Sequence, residues 1–516
     1  MSETAPWTAS DLDQMEQRGV SSEEIARQLE IFRRPAPVTR LERPCRLEDG
    51  IQQVSEGDED QLLKEWRELA RGGRLAKFVP ASGAATRMFR DMKSALQGLT
   101  DGSYGTTAND SGLMHRLVTA LPDFPFWERL QSVTGTEEPT FGLEPSREKV
   151  RQLLVSLLEP SGLGLATLPK GLIEFHRYES GPRSAFEEQL IEGTTFLAAA
   201  GGECRYHFTV SAEHLAAFEK ALASAAPRIE RETGMGLEVS FSTQSPATDT
   251  MAVDLENRPF RLANGELLFR PAGHGSLIEN LSQIDGDVVF IKNIDNIAPQ
   301  RQHEDSGRWK RLLAGKLGRL QRSIFALAGR LESACTEQLV EEALEFLRQE
   351  LGVQVDTDTL GSGLFSRREV LMGLLDRPLR VCGVVRNEGQ PGGGPFWVHQ
   401  AARGLTCQIV ETAQVDRDDP AQEEILNAST HFNPTDLVCG LKNRAGEPYE
   451  LSRFIDTEMS FVTEKSHEGR PLRALERPGL WNGAMAGWNT VFVEVPLSTF
   501  TPVKSVFDLL QPEHRS

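Results

Sequence analysis

Four short runs, at residues 75–80, 203–210, 237–242 and 287–292, carry the residue types of buried strands, and helical patterns separate them. Strands that alternate with helices are joined by crossovers, which lay them side by side in a sheet with helices on both faces. The expected fold is therefore α/β, a Rossmann-like, doubly wound mixed sheet. Open sheets of this kind bind ligands beyond the carboxyl ends of their strands. The residues just after each run are the ones to read for chemistry.

The richest stretch is 268–296. Gly273, His274 and Gly275 form a glycine-flanked turn that opens a helix, and twenty residues on an apolar run ends in Asp295 and Asn296. Paired glycines let a backbone approach a flat or charged ligand, and a helix start offers unpaired N–H groups. A carboxylate just past a buried strand suits Mg²⁺. The plainer reading of the same residues is a helix cap and a turn aspartate. The first strand breaks in a similar way, into Pro-Ala-Ser-Gly-Ala-Ala-Thr-Arg-Met (80–88). Phosphates bind small-residue loops of this kind because backbone N–H groups converge in them, and Arg87 adds a cationic fork. Small residues in such a loop also serve tight packing.

Several segments, in the right order, resemble the UDP-sugar pyrophosphorylase superfamily of nucleotidyltransferases. Residues 80–88 are similar to its Leu-Ala-x-Gly-x-Gly-Thr-Arg-Met signature, matching at Gly83, Thr86, Arg87 and Met88, with Ala85 in place of the second glycine. Pro271 to Gly275 match its Pro-x-Gly-x-Gly turn, and Asp295-Asn296 its strand-terminal pair. Pro169-Lys170-Gly171 matches a family Pro-Lys-Gly, and Arg183 stands near its second basic residue. Val239 to Gln244 resembles the strand whose glutamine holds the base. Residues 380–386 and 408–414 resemble its strands ending in Val-Glu, at Glu411. Asn427 matches in Asn-Ala-Ser-Thr-His-Phe, where Thr430 replaces a second Asn, and Phe500 to Lys504 matches its Phe-Ser-Pro-x-Lys. The whole chain also looks like a bacterial family of domain-of-unknown-function type related to that superfamily.

The resemblance implies a GT-A-like fold, with a helical N-terminal extension at 1–72 and a nucleotidyltransferase domain at 73–380 that carries a helical insertion at about 93–165. A smaller C-terminal α+β part at 381–516 would complete the sugar-phosphate side. It implies a reaction in which a sugar 1-phosphate attacks a nucleoside triphosphate, UTP by family likeness, and pyrophosphate leaves. Arg87, Lys170 and Lys504 would act on the phosphates and Asp295 would hold Mg²⁺. Ser82, Gly83, Thr86, Gln244, Gly273, His274 and Gly275 would bind the nucleotide, and Glu411 and Asn427 the sugar. Phosphoryl transfer is mostly positioning and charge stabilisation, so no nucleophilic side chain is required. Ala85 and Thr430 keep an alternative open, a catalytically inactive nucleotide-sugar-binding or regulatory protein. The segment Gly479 to Thr490, with Trp481 and Trp488, has no counterpart in the resemblance.

Charge and cysteines narrow the partners. A net charge of −19 disfavours broad attraction to nucleic acid or anionic membrane. That also weighs against reading the helical pair at 10–32 as a DNA-binding helix-turn-helix. The six cysteines show no zinc spacing, and reduced thiols in a cytoplasmic protein are expected. The first residues lack a basic region followed by an apolar one, and no apolar run reaches membrane-spanning length. Residues 33–38 read as a linker and 390–395 as a flexible loop.

Overall fold

The computed structural model describes residues 7–34, 38–72, 75–102, 108–135, 146–198, 202–389, 392–400 and 403–515. Parts of the expected linker at 33–38, of the insertion at 93–165 and of the loop at 390–395 lie outside them. The chain forms two compact units, each assembled from three segments: 1–76, 243–290 and 312–495 in one, 77–242, 291–311 and 496–516 in the other. Among the described residues no helix is long and apolar enough to cross a membrane.

The first unit opens with two helices, Ala9–Arg18 and Ser22–Arg33. Thr8 and Asp11 cap the first reciprocally, Gly19 ends it at φ 73°, and Ser21 accepts from the Glu24 N–H to start the second. Left-handed backbone at Gly19 costs a glycine little, which fixes the turn there. Met15, Ile25 and Phe32 are buried with Met251, Val253 and Phe269. A helix pair whose apolar face is covered in this way is part of the core. The same unit holds strands of a mixed sheet. Leu379–Arg386 runs parallel to Asn489–Glu494 and antiparallel to His431–Gly440, and Ile51 and Gln52 pair parallel with Phe492 and Val493. Seven of the eight residues of Leu379–Arg386 are buried, as a strand covered on both faces must be. A second sheet holds Leu41–Pro44, Gly394–Gln400, Gly404–Val410 and Val353–Gln354 in antiparallel pairs. The segments 380–386 and 408–414 thus belong to different sheets, and the second strand ends at Val410, one residue before Glu411. All six cysteines are free thiols, and Cys45 and Cys407 approach to 3.7 Å without a disulfide.

In the second unit the strands Leu75–Pro80, Glu203–Val210 and Gly236–Thr243 are neighbours in that order. Ala185–Leu197 and Leu215–Thr233 are its main helices, and Phe186, Phe208, Phe218 and Phe241 pack ring against ring between helix and strand. Ser184 and Glu187 form the capping box that starts the first of these helices. The stretch read as a helical insertion contains the helices Arg90–Asp101, Ala108–Ala120, Trp127–Thr134 and Arg147–Leu158.

The interior of this unit holds an unusual charge arrangement. Glu192, fully buried, accepts from Lys77 at 2.8 Å, Lys292 at 2.7 Å and Lys310 at 3.1 Å. Burial would raise the Glu192 carboxyl, but Lys292, Lys310 and Lys77 together hold it well below the carboxylate range. The same helix props the turn before Asp295, where Gln189 donates to the Asn293 and Ile294 carbonyls at 3.0 and 3.4 Å.

Candidate active site

Beyond Pro80 the chain folds back on itself. The Ala81 N–H donates to the Thr209 carbonyl at 2.8 Å, and Ala85–Arg87 make one 3₁₀ turn. Residues 83–85 then pair with 168–170. The Ala85 N–H donates to Leu168 at 3.2 Å, the Lys170 N–H to Gly83 at 3.1 Å, and Ala84 bridges Pro169. Pro169-Lys170-Gly171 therefore lies at the side of the small-residue loop. Ser82, Gly83, Thr86 and Arg87 are exposed, and nothing lies within 4 Å of the place a Gly83 side chain would occupy. Ala85 is fully buried, so its methyl group leaves the open face of the loop unobstructed.

Lys170, Asp295 and Lys504 meet at this place. One oxygen of Asp295, Oδ2, accepts from Lys170 Nζ at 2.8 Å and from Lys504 Nζ at 3.1 Å. The Asp295 and Lys170 side chains are 12% and 13% exposed, whereas that of Lys504 is 65% exposed. Two ammonium groups thus share one carboxylate, and one of them faces outward. Burial alone would raise the Asp295 carboxyl, but the charges of Lys504 and Lys170 and their hydrogen bonds hold it below its ordinary value.

The last residues of the chain are tied to this point. The Val503 N–H donates to the Asp295 carbonyl at 2.9 Å, the Thr501 N–H to Asn296 Oδ1 at 2.9 Å, and Lys170 Nζ also donates to the Val503 carbonyl at 2.9 Å. Further on, His514 Nδ1 lies 3.1 Å from His176 Nε2, whose other ring nitrogen is 3.0 Å from Glu188. Gln189 and the His176–His514 pair were not singled out by residue pattern. Asn296 was, beside Asp295, but nothing local marks its contact with Thr501, 205 positions on, or that of His176 with His514, 338 positions on. Arg183, near the expected second basic position, is buried instead against Tyr178, Gln300 and Glu232.

The remaining expected residues lie in the first unit. Gly273 has φ 80°, and a side chain on Gly275 would fall 1.9 Å from the Pro478 carbonyl, so only glycine fits there. His274 Nδ1 accepts from the Leu480 N–H at 2.9 Å, which leaves the proton on Nε2, and its ring stacks on Trp481. The helix that follows, Ile278–Ser282, is a single short turn and a half. Gln244 donates to Thr248 at 3.0 Å. Glu411, half-buried, caps the turn 412–414 with Gln414. Asn427 is exposed at the end of the helix Pro420–Asn427, and Thr430 is exposed near it.

A single carboxylate is a sparse metal site. Among the described residues no group of three or more His, Cys, Asp or Glu side chains could hold an ion. Mg²⁺, however, keeps several waters and takes one or two carboxylates together with substrate phosphates. Asp295 fits that mode, in which the ion arrives with a polyphosphate.

A family model described as "Domain of unknown function (DUF4301)" matches residues 8–515. No curated protein matches the chain. Among solved structures, a mutant UDP-glucose pyrophosphorylase from Leishmania major in complex with UDP-glucose is 12% identical, over 99% of this chain and 79% of that one, with a TM-score of 0.44. The UDP-N-acetylglucosamine pyrophosphorylase from Trypanosoma brucei in complex with inhibitor is 12% identical over 94% and 74%, with a TM-score of 0.47.

Proposed function

We propose that this chain, which belongs to the DUF4301 family, is a nucleotidyltransferase that joins a sugar 1-phosphate to a nucleoside triphosphate, UTP by motif likeness, and releases pyrophosphate. The observation that carries the reading is the convergence of Lys170 and Lys504 on Asp295 beside the loop 81–88. In the reaction an oxygen of the sugar phosphate attacks the α-phosphorus in line, the bond to the bridging oxygen breaks, and pyrophosphate carries away the electron pair. Lys170, held to the loop through Gly83, and Arg87 on its exposed turn stabilise charge on the triphosphate. Lys504, mostly exposed, takes the acceptor phosphate. Asp295 holds both lysines in register until substrate arrives and is the residue that would take Mg²⁺, which when bound supplies charge neutralisation on the polyphosphate.

Arg87→Ala and Lys170→Ala are each expected to lose about 2–4 kcal/mol of transition-state stabilisation, the usual effect of removing one preorganised donor. Steady-state kinetics with varied triphosphate measure it, and unchanged kcat/KM in both variants would return the loop to a packing role. Lys504→Ala is expected to raise the apparent KM for the sugar phosphate and leave that for the triphosphate nearly unchanged. A rise confined to the triphosphate, or no change in either, would remove Lys504 from the site. The founding experiment is a screen of nucleoside triphosphates against sugar 1-phosphates with Mg²⁺, read by pyrophosphate release. Binding of a nucleotide sugar without any turnover in that screen would instead favour a binding or regulatory protein.

A further inference from the structure

The segment Gly479 to Thr490 is gripped by three arginines of the first unit. Arg377 donates to the Gly373 and Gly487 carbonyls at 2.7 and 2.9 Å. Arg380, fully buried, donates to Thr490 Oγ1 at 2.8 Å and to the Trp481 carbonyl. Arg403, 4% exposed, donates to the Ala486 and Trp488 carbonyls at 3.0 and 3.2 Å and to Asn489 Oδ1 at 2.9 Å. Every one of these acceptors is neutral. Burial, with repulsion from Arg377 and Arg380 adding to it, pushes the Arg403 guanidinium down to about 9. Two donors in the cluster are left without partners, Arg403 Nε and Arg380 Nη2.

Buried charge without a counter-charge costs several kcal/mol per ion, and like charges in a poorly polarisable interior add to the cost. Proteins relieve such a debt of charge with an anion. A cavity of about 510 Å³ lies beside the cluster, and Arg403 and Gln414 are among its lining residues. Gln414, 3% exposed, uses its Oε1 to accept from the Glu411 N–H and from Asn482 Nδ2, both at 2.8 Å, so its amide nitrogen is fixed as a donor, and that nitrogen has no partner. The exposed Arg40 and Arg453 also line the cavity, and Phe454 and Met459 give it an apolar wall. Two carboxylates, Asp456 and Glu458, line it too. Burial pushes the Asp456 carboxyl up.

We infer that this cavity binds a phosphorylated small molecule, whose phosphate is taken by Arg403 and Gln414 with Arg40 and Arg453 closing on it from the rim, and whose body rests on Phe454 and Met459. All of these residues belong to the first unit, whereas Lys170, Asp295 and Lys504 belong to the second. The inference stands whether or not the chain transfers nucleotides.

The test is calorimetric titration and thermal melting of the full chain with inorganic phosphate, ribose 5-phosphate, adenosine 5′-monophosphate and citrate. It is run in the Lys170→Ala/Lys504→Ala double variant, so that phosphate binding at those lysines does not contribute. Saturable binding of a phosphate-bearing probe, with a rise in Tm, is expected there. Arg40→Gln and Arg453→Gln, both exposed positions, should each weaken it about tenfold, the share of one charge-assisted contact. Arg403→Gln should abolish it, and if that variant does not fold, the two rim variants decide. Binding of inorganic phosphate as tight as that of the two esters would mean that the free ion is the ligand and would overturn the body contact. No saturable heat up to about 10 mM, where affinity would be below any useful value, overturns the site. So does binding of citrate alone, or affinity unchanged in both rim variants.

Discussion

Asp295→Asn is expected to lower turnover at least about 1000-fold, some 4 kcal/mol of transition-state free energy, while the chain still folds. The carboxylate accepts from two ammonium groups through one oxygen. An amide of the same shape keeps the hydrogen-bonding surface but not the charge. Lys170 and Lys504 would then repel one another across a half-desolvated gap, and both would leave the geometry they share. A neutral amide also binds Mg²⁺ far more weakly than a carboxylate. Triphosphate affinity should not fall in parallel, since the two freed ammonium groups still attract phosphate. The measurement is pyrophosphate release at saturating Mg²⁺, with nucleotide affinity and Tm followed beside it. Turnover at the parent rate would end the assignment of Asp295.

The second large effect concerns stability. Glu192→Gln should destabilise the chain by about 3–5 kcal/mol at pH 7, because it takes from three buried ammonium groups the carboxylate they share. Lys77, Lys292 and Lys310 all reach that one carboxylate. The defect carries a pH signature. Burial, with Lys292 and Lys310 adding to it and Glu192 opposing, already pushes Lys77 down to about 8. A lysine whose folded-state value lies below its unfolded value costs stability while both states are protonated. That cost is relieved as pH rises from about 8 towards the unfolded value of about 10.4. Without Glu192, Lys77 sheds its proton more readily still, so the gap between variant and parent should narrow between about pH 7 and about pH 10. Denaturant unfolding at the two pH values measures it. A gap that is constant or widens would show that the cluster is not held together by charge.

The strands were legible because each is a compact apolar run closed by a breaker. Residues 75–80 and 203–210 are strands over those very spans, and 237–242 and 287–292 differ from the observed bounds by one residue at each end. The helix pair at the N-terminus was legible through Gly19 and Ser21. Contacts across long stretches of chain were not. Lys77 in the middle of a buried run and Lys292 at the end of another were anomalies visible in the sequence, since a lysine is rarely buried unless paired. Their common partner lies a hundred residues or more from either. Arg380 was an anomaly of the same sort, at the head of Val-Cys-Gly-Val-Val. At the candidate site, the residue types near the loop were readable, but which basic residue faces Asp295 was not. Lys170 does, while Arg183, thirteen positions later, is held by Gln300 and Glu232.

The second unit takes its final segment from residues 496–516, after the chain has left it to build most of the first. A growing chain on the ribosome that has reached residue 495 already has the loop 81–88, Lys170 and Asp295. It still lacks Lys504, the Val503 carbonyl that Lys170 grips, and His514, which lies against His176. Domains tend to fold in the order they are made, but this one cannot be finished in that order. Until the final segment emerges, Asp295 and Lys170 have only each other. A chain that stops short of residue 503 therefore lacks two of the contacts made to Lys170 and Asp295, the Val503 carbonyl and the Lys504 ammonium. Of the three charged groups that meet at Asp295, the outward-facing one is made last.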